Sequence, residues 1–198
     1  MSNTRERIIN TAIDLFADKG FSETSMRDIA TGAYITPASI YNHFSSKAGL
    51  LGSILREYID YISESTVSID DVDRVLDTTD TRAILDRMCF HYASDNAERY
   101  SKILKIILHE QFKEPTAMHF VRDNMFAYNQ TYIKWLLDKL VEAGRIKPVR
   151  TDIYAKIFVS LSVSECTEMM FYEFSEFAGA DRITKMDATY FLLDQLLE

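Results

Sequence analysis

The sequence predicts an all-α protein, with a three-helix amino-terminal head at residues 1–47, a larger helical region at residues 48–198 and about nine helices in total. Three observations carry this expectation. Only 6 Gly and 3 Pro interrupt 198 residues, which favours long helices over a many-stranded sheet. Apolar residues recur at helical spacing along most of the chain, and no stretch alternates as a half-buried strand does. Ser, Thr and Asp also stand where those apolar stripes begin, at positions that cap helices. A hydrophobic content of 47% excludes disorder, and a chain of this length can bury a sizeable core.

The first helix spans residues 4–19, where Ile8, Ile9, Ala12, Leu15 and Phe16 form one stripe. Gly20 supplies a left-handed stop, and Phe21 is expected to fold back onto Phe16 as in a Schellman motif. Ser25 and Asp28 have capping-box spacing, so a second helix starts there and buries Met26, Ile29 and Ala30. Gly32 falls where it should stop. Thr36 followed by Pro37 opens a third helix, because Thr can cap free N–H groups and Pro at the first position loses no needed donor. Ile40 and Phe44 give this helix one apolar stripe, which leaves Ala38, Ser39, Tyr41, Asn42 and His43 facing outward.

A fourth helix runs from about Ser46 through Leu50, Leu51, Ile54, Leu55, Tyr58, Ile59 and Ile62. Residues 67–80 are acidic and loosely patterned, a partly helical connection. Helical spacing resumes from Thr81 with Ile84, Leu85, Met88 and Tyr92, and then with Ile103, Leu104, Ile107, Leu108 and Phe112. Pro115 interrupts it. The next long helix sets Met118, Val121, Met125, Tyr128, Tyr132, Trp135, Leu136 and Leu140 on or near one face and ends at Gly144 and Pro148. Asp152 caps a helix over residues 152–178, apolar nearly all round in its first half and so buried on more than one side. Thr184 with Asp187 forms a second capping box, opening a final helix with Met186, Tyr190, Phe191, Leu193 and Leu197.

Short hydrogen-bonding side chains with one Tyr and one His suit the base edges and phosphates of a DNA major groove. The net charge of −8 looks wrong for that partner until it is divided. Arg5, Arg7, Lys19, Arg27 and Lys47 balance Glu6, Asp14, Asp18, Glu23 and Asp28, so residues 1–50 net zero and the whole excess lies in residues 51–198. Such a head is expected to dock by local placement of a few cations, while the acidic body repels DNA.

From about Arg5 to Leu51 the chain resembles the DNA-binding domain of the TetR family of bacterial transcriptional regulators. The marks are Ala12, Leu15 and Phe16, then Gly20 and Phe21, then Arg27, Asp28, Ile29 and Ala30. Ile40, Tyr41, Asn42, His43 and Phe44 follow, and then Lys47, Leu50 and Leu51. One departure stands out: the family usually has Gly in the turn before the recognition helix, where this chain has Tyr34. Tyr tolerates positive φ poorly, so this turn is either shaped differently or strained.

The resemblance implies a DNA-binding domain at residues 1–47 and an effector-binding and dimerisation domain at residues 48–198. It assigns Tyr41 and Lys47 to phosphates, Thr36, Ala38, Ser39 and His43 to base edges, and Ser25 and Arg27 to the flanking backbone. It also implies a homodimer paired through the last two helices on a palindromic operator, most often as a repressor. Extra apolar faces on those helices independently call for a partner.

Aromatic and Met residues are dense over residues 81–178. Phe90, Tyr92, Phe112, Phe126, Tyr128, Tyr132, Trp135, Met169 and Tyr172 serve equally as plain core or as the lining of a small-molecule pocket. The resemblance favours an effector pocket, with Tyr92, Phe112, Phe126, Tyr132, Trp135, Glu165, Met169 and Tyr172 as the candidate set. Glu165, Glu168 and Glu176 extend one helix face, which either meets solvent or favours a cationic ligand at a pocket mouth. An effector-free domain that only dimerises remains the alternative.

No catalytic site, metal site or cofactor is expected. His91, His109 and His119 have no ligand spacing, and Cys89 lies two residues from His91, on a different side of a helix. Neither a nucleophile motif nor a Gly-rich phosphate loop is present. Two isolated cysteines, Cys89 and Cys166, and no export or membrane-spanning segment point to a reduced, cytoplasmic protein.

Overall fold

The structure, a computed structural model, describes residues 4–87, 97–173 and 187–197. Its elements are α1 (Thr4–Lys19), α2 (Met26–Gly32), α3 (Pro37–Ile40), α4 (Lys47–Ser65), α5 (Val72–Thr78), α6 (Thr81–Asp86), α7 (Ala97–Glu110), α8 (Pro115–Phe120), α9 (Asn129–Glu142), α10 (Thr151–Glu173) and α11 (Asp187–Leu197). A 3-10 turn at Ile69–Asp71 precedes α5, and a π-helical stretch at Val121–Tyr128 joins α8 to α9 without a break. The described residues contain no strand, so the fold is all-α as expected. Met88, Cys89, Phe90, His91, Tyr92, Glu176, Thr184 and Met186 lie outside the described residues, as does the expected extension of α10 to residue 178.

The chain forms two compact units, Met1–Tyr61 with Ala93–Val121 and Ile62–Tyr92 with Arg122–Glu198. In the first, Ile8, Ile13 and Phe16 of α1, Ile29 of α2, Ile40 of α3, Leu50 and Ile54 of α4 and Ile103 and Ile107 of α7 are all buried. Each sits on the stripe its helix needs to close this core.

Helix ends in this unit show where local signals meet tertiary contacts. Gly20 adopts φ 89° and its N–H reaches Phe16 O at 3.0 Å, a single-bond left-handed stop. The Schellman motif expected here does not form. The Phe21 N–H, which would close its second bond, instead donates to Glu110 Oε1 of α7 at 3.1 Å. Phe21 still packs on Phe16, with ring centroids 5.2 Å apart.

A full Schellman motif closes α2 instead: Tyr34 N–H reaches Thr31 O at 3.1 Å and Ile35 N–H reaches Ala30 O at 3.0 Å. The residue at its left-handed position is Tyr34, with φ 55°. A side chain at this φ costs about 1–2 kcal/mol, so the turn carries strain. Gly32 stands two residues earlier for another reason. A Cβ there would lie 2.6 Å from Thr11 Cγ2, so Gly32 lets α2 approach α1.

In the second unit α10 packs against α9 and α11, burying Leu136, Leu140, Ala155, Phe158, Leu193 and Leu196. Gly144, at φ 66°, ends α9 with the same Schellman pattern, Arg145 N–H to Leu140 O at 2.8 Å. The Arg145 guanidinium donates to Leu76 O, to Thr79 O at 2.7 Å and to Thr81 Oγ1 at 2.9 Å, which ties the α5–α6 turn to the end of α9.

Three sequence expectations fail here for physical reasons. Met118 and Tyr128 are exposed, because a π-helical stretch winds by i→i+5 bonds and shifts the register that had aligned them with Leu136 and Leu140. α10 starts at Thr151 with Arg150 O accepting the first helical N–H, so Asp152 lies inside the helix. The Asp152 carboxylate pairs with the Arg150 guanidinium at 2.8 Å, which holds its pKa down at about 2. Phe112 falls in the turn after α7 ends at Glu110.

Candidate nucleic-acid interface

The helix-turn-helix runs from α2 through the Tyr34 turn into α3. Ser25 and Asp28 form the predicted capping box: Asp28 N–H donates to Ser25 Oγ at 3.1 Å and Ser25 N–H donates to Asp28 Oδ2 at 2.9 Å. The Ser25 hydroxyl, and then its N–H, hold the Asp28 carboxyl below the usual aspartate range. Arg27 and Ser25 are exposed beside this cap.

Thr36 caps α3 by accepting Ser39 N–H at 3.2 Å, and Pro37 takes the first position. Regular α-helix then covers only Pro37–Ile40, shorter than the stripe from Ile40 to Phe44 implied. The chain tightens at Asn42 N–H to Ser39 O (3.2 Å) and His43 N–H to Ile40 O (3.0 Å), a pattern that closes a short helix with i→i−3 bonds. Ile40 and Phe44 are nevertheless both buried. Thr36, Ala38, Tyr41, Asn42 and His43 are exposed and Ser39 is half-buried, so the polar side chains of this segment face solvent together. The Thr36 and Ser39 hydroxyls are 2.8 Å apart and share one hydrogen bond.

Lys47 differs from the rest of the set. Its Nζ donates to Phe21 O at 2.6 Å, Thr24 O at 2.8 Å and Ser22 O at 3.4 Å, and it lies 4.3 Å from the centre of the Phe21 ring. All three donor positions of the ammonium are therefore engaged inside the head, pinning the α1–α2 loop to the start of α4.

Sequence reasoning missed the residues that fix α1 itself. Arg99 of α7 makes a forked pair with Glu57 of α4 at 2.6 and 3.0 Å and also donates to Asn10 of α1. Lys102 donates to Asp14 at 2.9 Å, and that pairing, with Glu98 second, raises its pKa. At the end of α7, buried Glu110 accepts the Phe21 N–H and contacts His109 Nδ1 at 2.8 Å. Apart from His109 and Glu98, these partners stand 42 to 89 residues apart, so no local pattern announces them.

The described effector candidates are divided between the two units. Phe112 is 89% exposed, contrary to a lining role, and belongs to the first unit. In the second unit Tyr132 and Trp135 are half-buried, with rings 5.8 Å apart. The Tyr132 hydroxyl donates to Val67 O at 3.0 Å and accepts Val67 N–H at 2.9 Å, and burial raises its pKa. Phe126 is half-buried in the π-helical stretch. Glu165 accepts the Ala188 and Thr189 N–H groups and the Thr189 hydroxyl, so its carboxylate caps α11. Met169 and Tyr172 belong to α10, but their side chains and all of Tyr92 lie outside the described residues.

Comparison with known proteins agrees with this architecture. Residues 8–54 match the model of bacterial regulatory proteins, tetR family. The HTH-type transcriptional repressor KstR2 of Mycolicibacterium smegmatis is 36% identical over 61 residues, 31% of this chain and 30% of that repressor. The chain thus spans under a third of the length of that curated relative. Two solved structures are similar along nearly their whole length. The TetR family transcriptional regulator PfmR from Thermus thermophilus has a TM-score of 0.65 at 20% identity, covering 100% of this chain and 97% of its own. AibR, solved in complex with isovaleryl coenzyme A and operator DNA, has a TM-score of 0.61 at 19% identity, covering 98% of each chain. Capped helix-turn-helix, family match and shared fold coincide: residues 8–54 match the model of bacterial regulatory proteins, tetR family, and the chain as a whole has an all-helical fold similar to that of PfmR.

Proposed function

We propose that the protein is a ligand-responsive transcriptional regulator, a repressor that binds a palindromic operator as a homodimer in the cytoplasm and is released by a small, mostly apolar effector. Residues 1–47 read DNA, and residues 48–198 carry the dimer surface and the effector. The observation that carries this reading is the sorting of α3 and its following turn. Ile40 and Phe44 are buried, while Thr36, Ala38, Tyr41 and His43 face solvent from a capped helix-turn-helix. Thr36, Ala38, Ser39 and His43 are then the base readers, Tyr41 a phosphate contact, and Ser25 and Arg27 contacts to the flanking backbone.

The test is DNA selection from a random pool followed by titration. Tyr41→Ala should weaken all sequences alike. His43→Ala should relax preference at particular positions by about 1–3 kcal/mol. An unchanged base-preference profile removes His43 from the readers.

Support for an acyl or aromatic effector comes from the aromatic density around Trp135 and from AibR, whose structure holds an acyl thioester together with operator DNA. Trp135 is the only tryptophan, so a panel of such compounds can be titrated against its emission. An effector that releases DNA must bind the free protein more tightly than the complex, by about 5–150-fold for typical coupling. Equal affinity in both states marks a passenger. The reading without an effector is favoured by two observations, the capping role of Glu165 and the exposure of Phe112.

A further inference from the structure

We propose that Tyr34 contacts the DNA backbone at the edge of the groove entered by α3, and that the strained turn persists because a phenol is needed there. The inference rests on the DNA-binding reading above and adds a residue to it.

Tyr34 is a poor choice for the fold on two counts. Its backbone is held at φ 55°, where glycine is favoured, by the bonds to Thr31 O and Ala30 O that close α2. Its side chain is 91% exposed, against 56% for Tyr41, and makes no hydrogen bond or ring contact among the described residues. The chain meets the same geometry at the end of α9 and there uses Gly144. Strain that nothing in the folded state offsets points to a use outside it.

Position and chemistry name that use. Tyr34 stands two residues before Thr36, the cap of α3, so its ring projects from the turn that leads into the exposed segment. A phenol offers an O–H donor for a phosphate oxygen and a flat apolar face for a deoxyribose. The head nets no charge, and the Lys47 ammonium is occupied by three carbonyls. Neutral donors can therefore supply part of the phosphate contact beside Arg27, and Tyr34 is the more exposed of the head's two tyrosines.

The experiment compares Tyr34→Gly, Tyr34→Asn and Tyr34→Phe in the full-length protein. Tyr34→Gly relieves the strain and should raise the melting temperature by a few degrees, about 2–4 °C. It should also weaken the selected DNA and a scrambled duplex alike, by roughly tenfold. The slope of affinity against salt should stay unchanged, because no cation is lost. Tyr34→Asn tolerates the left-handed backbone without the freedom of glycine and should lose the same affinity, which assigns the loss to the ring. Tyr34→Phe should fall between these variants and the wild type. Wild-type affinity in the Gly or Asn variant would overturn the inference, and so would a lower melting temperature in Tyr34→Gly, since the ring would then be supporting the fold. Failure of the unaltered protein to select any DNA would instead overturn the DNA-binding reading.

Discussion

Replacing Ile157 and Phe191 together by aspartate should give a folded monomer that binds the selected palindrome about 10²–10⁴-fold more weakly than the unaltered protein. Both side chains are exposed in the single chain, Ile157 at 42% and Phe191 at 66%, and Ile153 and Leu197 on the same two helices are exposed as well. In an isolated chain the exchange removes apolar surface from water and costs only the lower helix propensity of Asp, about 0.5 kcal/mol per site. At a two-fold interface each aspartate would be buried once in each subunit, so four desolvated charges would oppose assembly. With one head per particle, the second half-site no longer gains from the first. Sedimentation equilibrium should read twice the 22.9 kDa chain mass before the change and once after it, at an unchanged helical signal. A variant that still sediments as a dimer would place the interface elsewhere on the protein.

Lys47→Met should lower stability by about 2–4 kcal/mol, since the charged donor serves Phe21 O and Thr24 O at short range and rests on the Phe21 ring. Family resemblance alone would give this residue to a phosphate, and the two roles make opposite predictions. A phosphate contact, once removed, leaves the unfolding curve in place and flattens the salt dependence of DNA binding by about one unit of slope. A structural cation moves the unfolding curve and leaves that slope alone. Thermal melts of the free protein, paired with salt titrations at a temperature where the variant is fully folded, separate them. The structure predicts the second pattern.

Most of the head was legible in the sequence because its signals are local. Ser25 with Asp28, and Thr36 with Pro37, carry their partners within three residues, so chain order alone positions the caps. Ile40 and Phe44 lie four apart and were placed correctly in the core, although the regular helix between them is shorter than their spacing implied. What could not be read depends on partners far along the chain. Nothing near Gly20 reports that Glu110 will take the Phe21 N–H, and nothing near Glu165 reports that it will cap α11. Gly32 was legible as a helix end but not as a point of close approach to Thr11, since a glycine looks the same in both roles. Periodicity also misplaced Phe112 and Tyr128, because a turn at residues 111–113 and the π-helical stretch each break the 3.6-residue count on which the reading rested.

The attachment of α7 along α1 bears on how such heads can be exchanged between proteins. A hybrid that cuts after residue 47 and joins this head to a foreign body discards Arg99, Lys102 and Glu110 together. Asn10 and Asp14 would lose their partners, and the Phe21 N–H would lose the carboxylate that seats it beside Gly20. The transplant would keep every solvent-facing residue of the α3 segment and still present them from a loosened first helix. A working graft has to carry residues 97–110 along with the head, or choose a host whose corresponding helix already offers a cation opposite Asp14 and an acceptor opposite Phe21.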